Sequence, residues 1–188
     1  MSDISILVLV GSLRAGSTNL QLAEAAAQVT PVGVSLTIYD GLADIPFYNE
    51  DIDVDGAVPD VATELRAAIA GSDAILVITP EYNGTIPAVL KNAIDWASRP
   101  YGAGAITGKP VAAIGSAFGQ FGGTWAHDDA RKSFGIAGAR VLEDVRLSVP
   151  GSLVRFAELH PKDDSEVMQQ LTAVVRDIVA GVPVKNAA

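Results

Sequence analysis

The sequence predicts an α/β protein in which a parallel sheet of five strands is covered by helices on both faces. Three observations predict it. Apolar runs of strand length alternate with segments of helical spacing from one end of the chain to the other. The runs Ile4–Val10, 74–79 and 111–115 are apolar at nearly every position, as in strands that bury both faces. Proline and glycine turn signals separate the runs.

Ile4–Val10 is the first predicted strand, and a helix follows to about Val29, where Pro31 and Gly33 break it. Val34–Tyr39 reads as the second strand, and 40–59 as a long polar loop. Val61, Leu65, Ala68 and Ile69 keep helical spacing, with Gly71 as a stop. The third strand is 74–79, and a helix over about 87–98 opens with Pro87, a residue suited to a first turn. The fourth strand, 111–115, leads through a glycine-rich loop at 116–123 into a helix ending near Gly135. Arg140, Val141 and Leu142 begin the fifth strand, and Val167, Leu171, Val174, Val175 and Ile178 line one face of a last helix. Five such strands favour the flavodoxin-like order 2-1-3-4-5, a three-layer sandwich.

Length and composition narrow the functions. The 188 residues suit one domain, 1–188, and the 49 % apolar fraction suits a compact core. No apolar run approaches the roughly 20 residues of a membrane span, and the start of the chain is too short and uncharged for a signal peptide. With no cysteine, disulfide and thiolate chemistry are excluded, which fits a reducing cytoplasm. A formal charge of −9 argues against nucleic acid or an anionic membrane as partner. His127 and His160 stand in no metal-ligand spacing and read as surface residues.

The expected order reverses between strands one and three, and ligands bind at the carboxyl ends of strands beside such a reversal. The unusual loops follow strands one, three and four, so topology makes them one site. Gly11, Ser12, Leu13, Arg14, Ala15, Gly16, Ser17, Thr18 and Asn19 join a strand to a helix start, where free N–H groups and the dipole favour an anion. Ser12, Ser17, Thr18 and Asn19 add hydrogen bonds, and Arg14 adds a charge-assisted one. The same residues also suit an ordinary N-cap and turn, and both readings stand at this point. No Gly-Lys-Ser/Thr follows Gly16, and Gly-x-Gly-x-x-Gly is absent. Asp40, at the end of the second strand, keeps a nicotinamide-binding Rossmann domain in contention.

The loop after strand three, 79–87, holds Asn83-Gly84, a strong turn pair, and two prolines. Such a stiff turn with a tyrosine suits a flat heteroaromatic ring as well as a plain turn. Three glycines in 116–123 allow close approach of backbone to a ligand, while Phe118 and Phe121 read as core or interface. A phosphate cradle and a ring shelf together define a mononucleotide, best matched by FMN.

Gly11-Ser12-Leu13-Arg14-Ala15-Gly16-Ser17, Pro46 to Asp51, Pro80-Glu81-Tyr82-Asn83 and Leu90 to Trp96 together resemble the NADPH-dependent FMN reductase family, over about 4–145. That family includes bacterial quinone, chromate and azo-dye reductases. The resemblance implies a flavodoxin-like fold, noncovalent FMN and NADPH or NADH as electron donor. It implies that Ser12, Arg14, Ser17, Thr18 and Asn19 hold the phosphate, and that Pro80, Glu81, Tyr82 and Asn83 border the isoalloxazine. It places Ser116 and Gly119 near the ribityl chain or ring. Between His127 and Arg140 the chain departs from the family's glutamine-rich helix.

The expected activity is hydride transfer from nicotinamide to FMN and on to a quinone, free flavin, azo dye or metal oxyanion. Backbone N–H groups of Tyr82 and Asn83 are the expected donors to the reduced ring, and no side chain is expected as an essential acid or base. The alternative is a flavodoxin-like electron carrier with no enzymatic role. Val89 and Trp96 form a second apolar stripe on the third helix, which predicts a homodimer or homotetramer through that face.

Overall fold

The structure, a computed structural model, describes residues 4–184. The strands are β1 (Ile4–Val10), β2 (Val34–Tyr39), β3 (Ala74–Ile78), β4 (Pro110–Ser116), β5 (Arg140–Val141) and β6 (Ser148–Val149). The helices are α1 (Thr18–Gln28), α2 (Asp60–Gly71), α3 (Ala88–Ala97), α4 (Thr124–Ile136), α5 (Ser152–Arg155) and α6 (Ser165–Gly181). The sheet runs β2-β1-β3-β4-β5, every pairing is parallel, and β6 also pairs with β4.

Side-chain alternation along the central strands creates two cores. Leu7, Leu9, Ile75, Val77, Val111 and Ala113 face α2, α3 and α4, with Leu65, Leu90 and Phe134 among them. Ile6, Val8, Leu76, Ile78, Ala112 and Ile114 face α1 and α6, with Leu22, Leu171 and Ile178. This is the expected three-layer, flavodoxin-like arrangement. It removes the Rossmann reading of Asp40, because a dinucleotide-binding sheet places strand four, not strand three, beside strand one.

The fifth strand is where expectation and structure part. It is split into β5 and β6, both held on β4. The pairing offset to β4 grows from 30 residues at Pro110↔Arg140 to 33 at Gly115↔Ser148, so three extra residues loop out between them. The intervening Glu143 and Asp144 are poor strand formers. The excursion is tied down by Arg146, which pairs with Asp128 of α4 at 2.9 Å and with Glu143 at 3.2 Å.

The Val89/Trp96 face is also corrected. Trp96 is 0 % exposed within this chain. Its indole N–H donates to the Pro46 carbonyl at 2.8 Å, Tyr48 meets it edge-on at 5.0 Å, and the Arg66 guanidinium lies over it at 5.3 Å. The second apolar stripe of α3 therefore serves the loop after β2 and leaves no indole for a partner. Asn92 completes the clamp, accepting from the Tyr48 N–H and donating to the Ile45 and Pro46 carbonyls. Arg66 closes it with a two-pronged pair to Asp53, which holds the Asp53 carboxyl below the usual carboxylate range.

Candidate functional site

Register brings the three loops together. Val10 pairs with Ile78 and Ile78 with Ile114, so the three chains leave the sheet side by side. The ladder continues one residue further, with Gly11 N–H on the Ile78 carbonyl (2.9 Å) and Thr79 N–H on the Ile114 carbonyl (3.0 Å). Gly11 is required by this closeness: a Cβ there would stand 2.3 Å from Thr79 Oγ1. Gly115 is required more strongly, since its Cβ would meet the Thr79 carbonyl oxygen at 2.2 Å.

At this rim lies a cleft of about 190 Å³. Nine of the expected residues line it: Ser12, Arg14, Ser17, Thr18, Asn19, Pro80, Glu81, Tyr82 and Ser116. Asn83 and Gly119 do not line it. Ala117, Phe118, Ser152 and Leu153 do, and of these Ser152 and Leu153 went unread in the sequence. They arrive because β6 continues the edge of β4: Ala117 N–H donates to Val149, and Ser152 N–H donates to Ala117. A two-residue strand of Ser and Val carries no periodic signal, which hid this wall.

In the first loop the N-cap reading is borne out. Ser17 is the N-cap of α1, its hydroxyl accepting from the Leu20 N–H at 3.4 Å. Asn19 is buried and spends its amide on Ser116, accepting from its N–H at 2.8 Å and donating to its carbonyl at 3.0 Å. Asn19 thus ties the first loop to the third. Thr18 adds to that link by accepting from the Ser116 hydroxyl at 3.2 Å. Ser12 and the exposed Arg14 remain the side chains best placed to meet an anion at the helix start.

In the second loop, Asn83 (φ 54°) and Gly84 (φ 80°) turn the chain with both central residues left-handed, the geometry Asn-Gly favours. The Tyr82 N–H is spent inside that turn on the Thr85 carbonyl at 3.0 Å. This corrects the expectation that it faces a ligand ring. Tyr82 itself is half exposed beside the cleft. Glu81 carries a buried carboxylate oxygen, Oε2, that meets no donor among the described residues. Phe118, at 67 % exposed, and Phe121 are surface residues rather than core, and Phe121 leans on exposed Trp125 at 5.4 Å.

His127 is the clearest misreading. It is 0 % exposed, not a surface residue. Its Nε2 lies 3.1 Å from the Thr79 carbonyl and its Nδ1 lies 2.8 Å from the Ser148 hydroxyl. Burial pushes its pKa down to about 4, assisted by the charge of nearby Arg131 and opposed by the Thr79 bond and Asp128. The ring is therefore neutral near neutral pH. The sequence held a signal: His127, Ala130, Arg131 and Phe134 fall at helical spacing and share the buried side of α4.

The residues present fit a phosphorylated, ring-bearing ligand such as FMN. A helix start beside the exposed Arg14 guanidinium, which donates at 3.4 Å to the neighbouring Ala15 carbonyl, suits the phosphate. The unpartnered Glu81 oxygen suits a hydroxyl or imide donor, because a buried acceptor left unpaired is costly. The cleft is smaller than the roughly 300–1,000 Å³ of enclosed ligand pockets, so it suits the polar tail with the ring lying toward open Tyr82. A larger cavity, of about 510 Å³, lies between the C-terminal halves of α3 and α4 beside the start of β4. That is the wrong edge of a parallel sheet for the reaction site.

Comparison with known proteins bears on the family and the fold. The family description NADPH-dependent FMN reductase matches residues 4–154. A quinone reductase of Pseudomonas putida is 44 % identical over 134 residues, 71 % of this chain and 71 % of that protein. An NAD(P)H-dependent FMN reductase of Pseudomonas aeruginosa is 37 % identical over 166 residues, 88 % of this chain and 77 % of that protein. Among solved structures, a flavoenzyme NAD(P)H:(acceptor) oxidoreductase from Paracoccus denitrificans superposes with a TM-score of 0.81 at 30 % identity, covering 94 % of this chain and 96 % of that one.

Proposed function

The chain belongs to the NADPH-dependent FMN reductase family, and from that premise we propose that it is an FMN-dependent reductase carrying reducing equivalents from NAD(P)H to a small acceptor. A quinone is the acceptor class best supported, since relatives at 43–44 % identity carry that activity in their names. The observation that carries the reading is the convergence of an anion-binding helix start and an unpartnered buried carboxylate oxygen on one cleft. FMN, when bound, supplies hydride acceptance and electron return without help from an acidic or basic side chain.

This chain's residues do the rest. Arg14 and Ser12, with the first-turn N–H groups of α1, hold the phosphate. Ser17 and Asn19 act mainly by keeping that turn and the Ser116 loop in place. Glu81 accepts from a donor on the ring or tail, and the Tyr82 turn borders the ring plane. Exposed Phe118, which lines the cleft, offers an apolar margin suited to flat acceptors.

Purified protein is expected to be yellow, with flavin absorption bands, and to oxidise NADPH or NADH with a small quinone. Arg14→Ala should weaken FMN binding about 10- to 100-fold, the scale of a lost charge-assisted hydrogen bond. Glu81→Gln, which can still accept through its amide oxygen, should keep most turnover. A fully flavin-loaded Glu81→Gln protein slowed ~1000-fold would make Glu81 a true acid or base and defeat this assignment. Flavin bands without nicotinamide oxidation would favour the electron carrier.

Self-association into a homodimer or homotetramer belongs to the same proposal, now without Trp96. Its support is the exposed Phe121–Trp125 pair, which a second copy can cover. Sedimentation giving a monomer at micromolar concentration would remove it. Among the described residues no helix is long and apolar enough to cross a membrane.

A further inference from the structure

The peptide between Thr79 and Pro80 joins the end of β3 to Pro80, Glu81 and Tyr82 of the cleft lining. Pro80 has no N–H, so this peptide can be anchored only through the Thr79 carbonyl oxygen. The donor that reaches that oxygen from outside its own loop is His127 Nε2, at 3.1 Å. A carbonyl oxygen only accepts, so Nε2 carries the ring proton. In the neutral ring Nδ1 must then accept, and the Ser148 hydroxyl at 2.8 Å is the donor. The tautomer follows from the partners.

The surroundings are shaped around this bond. A Cβ on Gly115 would stand 2.8 Å from His127 Nε2, 2.2 Å from the Thr79 oxygen and 2.8 Å from Asn19 Oδ1. Three buried polar groups from three different segments thus meet above one glycine. A Cβ on Gly123 would come within 3.1 Å of the same nitrogen. On the far side Ser148 belongs to β6, the segment that leads to Ser152 and Leu153 of the cleft wall.

We propose that His127, as its Nε2–H tautomer, is a positioning residue that fixes the Thr79–Pro80 peptide and so sets where Pro80, Glu81 and Tyr82 stand against the cofactor, locked to the Ser148 wall. It touches neither cofactor nor substrate. The inference rests on the proposed FMN site, and it assigns a role on a helix where this chain departs from the pattern of the family it resembles.

Two isosteric variants separate the two bonds. A glutamine amide reaches the place of Nε2 and can donate to Thr79, whereas an asparagine amide reaches only the place of Nδ1 and can meet Ser148. His127→Gln is therefore expected to bind FMN within about 3-fold of wild type, with an unchanged visible band shape. His127→Asn is expected to weaken FMN about 10-fold or more and to shift the flavin bands and potential, the scale of one lost buried hydrogen bond. Equal behaviour of the two folded variants, whether both resemble wild type or both fail, overturns the proposal.

Nitrogen NMR of the cofactor-free wild-type protein reads the tautomer directly, and an Nδ1–H ring overturns the proposal without any flavin present. Where a His127 variant does not fold, that spectrum and Ser148→Ala decide. Ser148→Ala should loosen the ring and speed amide exchange across 82–85, and unchanged exchange there counts against the coupling. Absence of flavin binding by wild type, with the Nε2–H tautomer intact, would instead sink the FMN reading while leaving the His127 assignment standing.

Discussion

Protonating His127 means adding a charge where the solvent cannot reach and turning Nδ1 from an acceptor into a donor that faces Ser148. Burial is the main reason its pKa falls from 6.5 to about 4. The sign follows from which state binds the proton. Above pH 6.5 neither state is protonated and the full stability is present. As pH falls through the interval down to about 4 the unfolded chain takes up a proton that the folded chain refuses, and stability is lost. The loss comes to about 3 kcal/mol across that interval. Urea denaturation of wild type and His127→Gln should show the fall in the first and a much weaker one in the second. Asp53 and Asp164, whose carboxyls are held low by hydrogen bonds from Arg66 and Arg155, lose their contribution only at more acidic pH. Equal falls in the two proteins would remove His127 as the cause.

The loop after β2 shows how an element is held when it has little regular structure of its own. Its backbone carbonyls at Ile45 and Pro46 are taken by Asn92 and Trp96 of α3, and its Asp53 by Arg66 of α2. Trp96→Phe removes the indole donor and part of a filled volume under a cation. It should cost about 2–3 kcal/mol, read as a lower urea midpoint, while leaving FMN binding near wild type because the cleft lies elsewhere. A Trp96→Phe protein as stable as wild type would mean that the clamp is redundant. The same comparison shows what the sequence could and could not say. Spacing on α3 marked Val89 and Trp96 as apolar on a second side, correctly. It could not tell a loop of the same chain from another copy as the cover, because a hydrophobic stripe names no partner. Strands β1, β3 and β4 were legible as unbroken apolar runs. The broken edge was not, because two-residue strands gain their hydrogen bonds from β4 and need no pattern of their own.

At the scale of the whole molecule, the order of the sheet was legible because alternating elements leave few parallel arrangements, and the order alone gathers the loops after β1, β3 and β4. What remained hidden was which polar groups serve a ligand and which serve the scaffold. Ser17 and Asn19 read as phosphate ligands, and the structure shows that they also serve the scaffold, as cap and as tie to Ser116. The net charge of −9 acts at this scale too. NADPH is a polyanion, so the long-range field opposes its approach and salt should relieve that opposition. Stopped-flow reduction of the bound flavin should show an association rate that rises a few-fold between low and physiological ionic strength. A rate that falls with salt would mean that Arg14 and its neighbours dominate the approaching nucleotide's path.

The three surplus residues between β5 and β6 give the outer margin of the sheet slack. Changes of chain length near Glu143 and Asp144 can be taken up there, because Ser148 is registered against Gly115 independently of Arg140 against Pro110. Removing a single residue after Leu147 has no such outlet. It would slide the hydroxyl off the imidazole and drag the Ser152–Leu153 wall along the cleft. Natural variation in length is accordingly expected to collect before that point and to stop at it.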